Sequence, residues 1–267
     1  MQPTINIAGL SLKTFGLMFA LGFIAAGLII GRRLRELGKP VDWAYEIAFS
    51  AIAGGLVGSR AYWVVENYGQ VKGDVLGNLF SGTGLVWYGG AIGGAICVLG
   101  WAYWRGMLNL GLCDLCAAPL AVGYAIGRIG CQLSGDGDYG RPWNGPWAMA
   151  YPHGTVPTTT PVHPTPIYET VTMGLVAWVL WRLRDTFRPG VLFALYLVLA
   201  GTERFLVEFI RRNHPGALGL TPPQWESIGM IVVGAVWMLV VARRHGTLRR
   251  PGAPAPATRE PARAAAA

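Results

Sequence analysis

Two arginines lie in otherwise apolar stretches of the sequence, where a permanent cation is costly to place. Arg128 belongs to residues 127–141, which begin apolar and continue as a Gly- and Asp-rich segment. Arg204 lies in residues 201–211 and shares that stretch with Glu208. Charged groups at such positions usually serve a binding site or pair with one another. Because a guanidinium stays charged and offers a planar fork that matches phosphate oxygens, the two arginines are suited to clamp one phosphate.

A structural role is the alternative for the same arginines. Arg204 and Glu208 have i, i+4 spacing, so they share one helix face and would form a salt bridge. Arg128 would then pair with an acid on a neighbouring helix. The candidate acids are Glu66, Asp136, Glu169 and Glu203.

The chain that carries these residues has the composition of a polytopic membrane protein. Only 13% of its 267 residues are charged, whereas a soluble domain has about 25%. The apolar segments, most of which reach the ~20 residues of a membrane span, cover residues 12–31, 44–65, 85–104, 117–133, 165–182, 190–210 and 225–242. They predict an all-α protein with seven transmembrane helices. The net charge of +8 lies in short clusters between these segments, which is typical of membrane orientation, so we expect no nucleic-acid partner.

Lys and Arg concentrate in every second connection between the apolar segments. This distribution predicts which side of the membrane each connection faces. The basic cluster at 32–35 follows the first apolar segment, which places the N-terminus outside and the C-terminus in the cytoplasm. We expect residues 1–245 to form the membrane domain with an outer-face loop at 134–164. The Pro-, Ala- and Arg-rich residues 246–267 are expected to form a disordered cytoplasmic tail. The Cys-x-x-Cys at 113–116 has no second Cys pair in the sequence, so no metal site is expected.

This topology also predicts the depth of the intramembrane arginines. With a rise of 1.5 Å per residue, Arg60, Arg128 and Arg204 lie about 17–24 Å from the inner ends of their helices. In an apolar core of about 30 Å, all three are then in the outer half. The sequence thus predicts one polar site at the outer leaflet, where the natural phosphate is that of a phospholipid headgroup.

Six blocks of the sequence, in order along the predicted helices, carry a resemblance to a known family. They are residues 15–22, 58–63, 88–94, 127–130, 163–169 and 204–211. In these blocks the chain resembles the prolipoprotein diacylglyceryl transferases, which are membrane enzymes of bacterial lipoprotein maturation. Members of that family move a diacylglyceryl group from phosphatidylglycerol to the lipobox cysteine of a prolipoprotein and release glycerol phosphate.

The resemblance implies roles for particular residues of this chain. Arg128 and Arg204 would bind the phospholipid headgroup. Glu208 and a turn at Gly130 would support them. Independently of the resemblance, we expect Asp136 and Arg60 to belong to the headgroup site. The resemblance implies a location in the bacterial plasma (inner) membrane and neither a metal nor a soluble cofactor.

The chain departs from the family pattern at positions that matter for chemistry. Phe15 stands where the family usually carries Tyr, and residues 131–136 differ from its usual Asn-Phe-x-Asn-x-Glu. Tyr88 stands where the family carries His, and we expect its hydroxyl to donate a hydrogen bond to a phosphate oxygen. His163 would then accept the proton of the acceptor thiol, unless it only caps or packs the loop. Two other functions stay open, namely a lipid or small-solute transporter and a non-catalytic lipoprotein-binding relative.

Overall fold

The protein is a bundle of long α-helices with two small β-hairpins. The computed structural model describes residues 2–7, 10–71, 73, 77 and 86–252. The helices among these residues are α1 (Thr14–Glu36), α2 (Trp43–Glu66), the short α3 (Tyr68–Val71), α4 (Trp87–Trp104), α5 (Leu110–Ser134), α6 (Thr165–Arg182), α7 (Val191–Glu208) and α8 (Pro222–His245). Each apolar segment of the sequence therefore lies on one long helix, which confirms that part of the prediction.

Four of these helices, α1, α2, α5 and α8, are long and apolar enough to cross a membrane. The other three long helices have 18 residues each. In α7 the three charged side chains of Glu203, Arg204 and Glu208 lower the hydropathy. The chain is thus a polytopic helical membrane protein.

Helices α2 and α4 approach each other through glycines. A Cβ on Gly58 would lie 2.3 Å from the carbonyl oxygen of Gly89, and one on Gly93 would lie 2.3 Å from that of Gly54. No side chain fits at such a distance, so these positions hold only glycine. Close approach through small residues is the usual geometry of helices that meet in lipid.

Helix α5 is longer than the apolar pattern predicts. It begins at Leu110, where the Asn109 side chain accepts a hydrogen bond from the Gly111 backbone N–H at 2.9 Å. It ends at Gly135, whose φ of 59° is in the left-handed region that glycine adopts without strain. The prediction of a turn at Gly130 is therefore wrong. Gly130 lies inside α5 and packs against Met18 and Phe15 of α1.

The long loop at 134–164 folds into a compact unit rather than an open connector. Strands β3 (Met149–Tyr151) and β4 (Thr158–Val162) pair in it as an antiparallel hairpin. Tyr139 and Tyr151 stack with ring centroids 4.8 Å apart in its small core. The backbone of Thr155 and Val156 donates to the carbonyls that end α5, Ser134 and Gly135, at 2.9 Å each. The loop is thereby fixed over the ends of the helices.

Both ends of the described chain are also tied to the bundle. Strands β1 (Thr4–Ile7) and β2 (Leu10–Lys13) form a hairpin, and the Gln2 backbone N–H donates to the Leu133 carbonyl at 3.1 Å. Residues 247–250 pair with residues 186–188. The prediction of a disordered tail from residue 246 is therefore wrong for residues 247–250. Residues 253–267 lie outside the described residues.

Candidate active site

Arg128 and Arg204 meet at a single carboxylate. Arg128 Nε lies 2.5 Å from Glu169 Oε2, and Arg204 Nη1 donates to Glu169 Oε1 at 3.1 Å. The three residues come from α5, α7 and α6, and they meet because α5 packs against α6 and α7 packs against both. The sequence therefore predicted the two arginines correctly as neighbours, with Glu169 among the candidate acids.

Three further residues complete what we call the ion-pair cluster. Arg211 lies just beyond α7, where its guanidinium pairs with Asp138 and lies 3.5 Å from Glu169 Oε1. Asp138, from the 134–164 loop, also pairs with Arg128. Glu208 pairs with Arg204 at 2.9 Å, as the i, i+4 spacing predicts. The ion-pair cluster is thus Arg128, Arg204 and Arg211 with Asp138, Glu169 and Glu208, and its formal charges balance.

The arginines of the ion-pair cluster are more accessible than the two glutamates. The side chains of Arg128 and Arg204 are 15% and 19% exposed, whereas those of Glu169 and Glu208 are 0% exposed. The carboxylates therefore lie behind the guanidinium groups and hold them from the protein side. The Arg128 guanidinium is contacted at all three nitrogens, by Glu169, Asp138 and Tyr124. The Arg204 guanidinium is contacted at both terminal nitrogens, by Glu169 and Glu208.

Glu208 connects the ion-pair cluster to the start of α8. Its second carboxylate oxygen accepts hydrogen bonds from the Asn213 side chain and from Thr221 Oγ at 2.9 Å. Thr221 forms a capping box with Gln224, which fixes the first turn of α8. These hydrogen bonds fix the orientation of the Glu208 carboxylate, which contacts Arg204 through its other oxygen.

Asp136, expected to support the site, lies beside the ion-pair cluster rather than in it. It accepts a hydrogen bond from the Asp138 backbone N–H at 3.3 Å. Burial and then the charge of Asp138 raise the pKa of the Asp136 carboxyl. Burial also acts to raise the pKa of Asp138, but the charges of Arg211 and Arg128 outweigh it and leave that pKa lowered.

A thiol and two carboxylates come close together at this point. The possible ligand atoms of Cys131, Asp136 and Asp138 lie within 4.8 Å of one another. Both oxygens of Asp138 are already engaged by arginines, which makes it a poor ligand for a cation. The expected absence of a metal stays a prediction.

His163 lies in an aromatic group with Trp143 and Trp147 of the 134–164 loop and Tyr168 of α6. Its ring stacks on Trp143 with centroids 4.3 Å apart, and its Nδ1 is 3.3 Å from the Tyr168 hydroxyl. Trp147 Nε1 donates to the same hydroxyl at 2.7 Å. Burial lowers the pKa of His163. These contacts fit a role in packing the loop, and the predicted role as a proton acceptor stays untested.

Tyr88 and Arg60 lie on the α2–α4 side of the bundle. Tyr88 is in the first turn of α4, is 41% exposed, and donates a long hydrogen bond of 3.5 Å to Glu226 Oε2 of α8. Arg60 is 6% exposed within α2, and its guanidinium carbon lies 4.9 Å from the Trp63 ring centroid. The roles assigned to these two residues stay predictions.

Sequence reasoning missed Asp138 and Arg211 as members of the ion-pair cluster. Arg211 ends the 204–211 block, but the sequence indicates it only as one basic residue of an outer connection. Asp138 is one of several polar residues in the Gly-rich segment 127–141. It also missed Tyr124, whose hydroxyl accepts a hydrogen bond from Arg128 Nη2 at 3.2 Å. Tyr124 precedes Arg128 by one helical turn, and this spacing was an available signal.

The fold and the site together define a class of protein. It is a polytopic helical membrane protein with partly exposed arginines that pair with buried carboxylates. The model of the prolipoprotein diacylglyceryl transferase family matches residues 2–240, so the chain belongs to that family. The family inferred from the six sequence blocks is thereby confirmed.

Similar proteins from several bacteria carry the family's name. The Clostridium tetani protein named phosphatidylglycerol–prolipoprotein diacylglyceryl transferase is 31% identical over 240 residues, which covers 88% of this chain and 95% of the relative. The protein of that name from Erythrobacter litoralis is 30% identical over 274 residues and 94% of both chains. The one from Methylobacillus flagellatus is 31% identical over 258 residues, with 90% of this chain and 96% of the relative covered. The similarity therefore extends over nearly the full length of these relatives.

Proposed function

We propose that this protein transfers a diacylglyceryl group from phosphatidylglycerol to the lipobox cysteine thiol of a prolipoprotein, with release of glycerol phosphate. The observation that carries the proposal is the convergence of two partly exposed arginine side chains, Arg128 and Arg204, on the buried Glu169. Membership of the family and the names of its relatives support the same reaction.

The chemistry is a displacement at carbon. The thiol loses its proton, a sulfur–carbon bond forms at the glyceryl carbon, and the carbon–oxygen bond to the phosphate breaks. The electron pair of that bond goes to the phosphate oxygen, so negative charge grows on the leaving group. Arg128 and Arg204 stabilise this charge because their fork-shaped donors are already in place before the bond breaks.

The other predicted residues act around this pair. Glu208 holds Arg204, and Asp136 and Arg60 support the headgroup site from the loop and from α2. Gly130 lets α5 pack closely on α1 and so sets the position of Arg128. Tyr88 belongs to the site through its hydroxyl, and His163 stays a predicted residue of it.

The same proposal includes the arrangement in the membrane. All seven long helices span the bacterial plasma (inner) membrane, with the N-terminus outside, the C-terminus in the cytoplasm, and the ion-pair cluster toward the outer leaflet. The distribution of Lys and Arg along the chain supports this orientation. The substrate partners are then phosphatidylglycerol in the bilayer and the signal peptide of a prolipoprotein that carries the lipobox cysteine.

The test is mass spectrometry of a lipobox peptide incubated with the purified protein and phosphatidylglycerol vesicles. We expect the mass of one diacylglyceryl group on the cysteine and release of glycerol phosphate. Arg128→Ala and Arg204→Ala should each lower the rate by about 10²–10³, and Arg128→Lys should also be poor because an ammonium lacks the bidentate fork. The control is Arg35→Ala, at an exposed position beyond the ion-pair cluster.

Two results would contradict the proposal. Wild-type protein that binds the peptide without changing its mass favours the lipoprotein-binding alternative. Near-normal transfer in either alanine variant shows that the replaced arginine is structural.

A further inference from the structure

A polar cavity with a volume of about 360 Å³ lies beside the ion-pair cluster, and we call it the loop cavity. Two short segments line it, residues 137–139 of the 134–164 loop and residues 211–214 after α7. Arg212 and His214 of this lining are exposed, so the cavity is open to solvent on their side. Its volume is within the range of about 300–1,000 Å³ that is usual for small-molecule sites.

The loop cavity and the ion-pair cluster share two residues. Asp138 and Arg211 line the cavity and pair with each other. Asp138 pairs with Arg128 through its other oxygen, and Arg211 Nη1 lies 3.5 Å from Glu169 Oε1. A single side chain, that of Asp138, therefore connects the cavity with Arg128.

A second contact connects the loop cavity with Arg204. Asn213 lines the cavity, and its side-chain amide donates a hydrogen bond to the Glu208 carboxylate, which pairs with Arg204 at 2.9 Å. The carbonyl oxygen of the same Asn213 amide accepts no hydrogen bond from the residues that the structure describes. The cavity thus contacts partners of both central arginines and offers an acceptor for a ligand hydroxyl.

Arg212 is a cation of the loop cavity that pairs with no acid of the described chain. Its Nη2 donates to the Gly137 carbonyl at 3.2 Å, and its guanidinium carbon lies 4.2 Å from the Tyr139 ring centroid. Its Nε and Nη1 make no hydrogen bond within residues 2–7, 10–71, 73, 77 and 86–252. The three arginines of the ion-pair cluster, in contrast, all contact carboxylates. The lining, with one acid and two arginines, therefore has an excess of positive charge.

Hydrogen bonds hold the two walls of the loop cavity in place. Arg141 Nε donates to the Arg211 carbonyl at 3.1 Å and so joins the loop to the segment after α7. The Tyr139 hydroxyl donates to the Val156 carbonyl at 3.0 Å, which fixes the ring on which Arg212 lies. Because the Arg212 guanidinium is already positioned, a ligand would bind it at a low cost in ordering.

An anion that also has hydroxyl groups matches this lining. The N–H groups of a guanidinium form a planar fork that suits phosphate oxygens. The Asn213 carbonyl oxygen and the His214 imidazole are hydrogen-bonding groups for hydroxyls. The proposed reaction releases one compound of this kind, glycerol phosphate, at the ion-pair cluster beside the cavity.

We propose that the loop cavity binds the glycerol phosphate group, with Arg212 on its phosphate and with Asn213 and His214 on its hydroxyls. The inference rests on the proposed function. The group has two possible sources, the headgroup of phosphatidylglycerol before transfer and the free product after the carbon–oxygen bond has broken. The two sources differ in the kinetic constant that depends on Arg212, so transfer kinetics separate them.

The first experiment measures binding without turnover. Racemic glycerol 1-phosphate is titrated by calorimetry into the protein in nanodiscs of a zwitterionic lipid. Arg212→Ala should weaken binding about tenfold, the loss expected for a hydrogen bond to a charged group. Arg212→Lys should recover only part of the affinity, because an ammonium lacks the fork. Lys13→Ala, which removes an exposed cation at the same end of the bundle, is the matched control and should bind as the wild type does.

The second experiment measures transfer to a lipobox peptide from phosphatidylglycerol vesicles. Added glycerol phosphate should inhibit the wild type, and Arg212→Ala should raise the inhibition constant about tenfold. If the KM for phosphatidylglycerol is unchanged in this variant, the cavity binds the free product. If that KM rises, the cavity binds the lipid headgroup. Both results support the site, whereas Arg212→Ala with both constants unchanged overturns it.

A second variant distinguishes ligand binding from a structural role of Arg212. His214 makes no hydrogen bond, ion pair or ring contact with the described residues, so His214→Ala should leave the fold intact and still weaken binding of glycerol phosphate. If Arg212→Ala binds weakly only because the loop loses its packing, its denaturation midpoint falls and His214→Ala binds as tightly as the wild type. That pair of results overturns the proposal.

The wild-type protein separates this inference from the proposed function. If it transfers no diacylglyceryl group, the proposed function fails, and the calorimetric titration still tests the loop cavity. If it is active but neither binds glycerol phosphate nor is inhibited by it, only the inference about the loop cavity fails.

Discussion

Glu169 is the residue on which the arrangement of the site depends most directly. It is 0% exposed and contacts Arg128 at 2.5 Å, Arg204 at 3.1 Å and Arg211 at 3.5 Å. Glu169→Gln keeps the shape of the side chain but removes its charge and replaces one acceptor oxygen by a donor. The three arginines then share two carboxylates instead of three. At one of the former contacts, the amide N–H of the glutamine faces an arginine N–H, so that two donors oppose each other.

The expected cost follows from the burial of these groups. Removal of one partner from a buried ion pair costs about 3–5 kcal/mol, because the remaining charge stays uncompensated. At about 1.4 kcal/mol per tenfold change, this is a factor of about 10²–10⁴ in the unfolding equilibrium. Transfer should also fall by about 10², because a displacement of about 1 Å in the positioning groups is sufficient for that loss.

Lipid composition provides a sharper readout than stability alone. If a phosphate binds between Arg128 and Arg204, it restores a negative charge where Glu169→Gln has removed one. Phosphatidylglycerol should therefore stabilise the variant more than it stabilises the wild type, relative to a zwitterionic lipid.

The assay is denaturant unfolding in nanodiscs of each lipid, with transfer rates measured on the same samples and Glu66→Gln as the control. Two outcomes would refute the reasoning. One is a variant with wild-type stability and wild-type transfer, which means that Glu169 does not hold the arginines. The other is a loss of stability that is the same in both lipids, which means that the arginines do not bind the anionic phosphatidylglycerol headgroup in preference to the zwitterionic one.

Two further predictions concern the fold. In intact cells, an impermeant thiol reagent should label a single cysteine at the exposed position 144 of the 134–164 loop but not one at position 186, in a background without the native cysteines. The reverse pattern overturns the orientation and the outer-leaflet site. Gly58→Leu should separate α2 from α4 and lower the denaturation midpoint, because its Cβ would lie 2.3 Å from the Gly89 carbonyl oxygen. Gly27→Leu, whose Cβ would have nothing within 4 Å, is the matched control, and equal stability of the two variants contradicts the packing argument.

Much of the candidate site could be inferred from the sequence because its signals are local. A guanidinium inside an apolar helix is conspicuous by itself, so Arg128 and Arg204 could be selected without a structure. The pairing of Arg204 with Glu208 follows from helical spacing alone. The long helices follow from runs of apolar residues.

The helix boundaries and the loop could be inferred less well. Helix α5 begins at Leu110 and not near 117, because capping by Asn109 and contacts with other helices extend it beyond its most apolar part. The 134–164 loop has few strand signals, and its hairpin is stabilised by the stacking of Tyr139 on Tyr151 and by hydrogen bonds to the end of α5. Such contacts depend on where the helices end in space.

The sequence by itself determined the family, the long helices and the two central arginines, since each of these depends on residue types and short spacings. Only the tertiary structure decided which acids these arginines meet. Asp138 and Arg211 are 73 positions apart, and Tyr88 and Glu226 are 138 apart. Whether such residues touch depends on the rotation and packing of separate helices, and no local pattern in the sequence records those quantities.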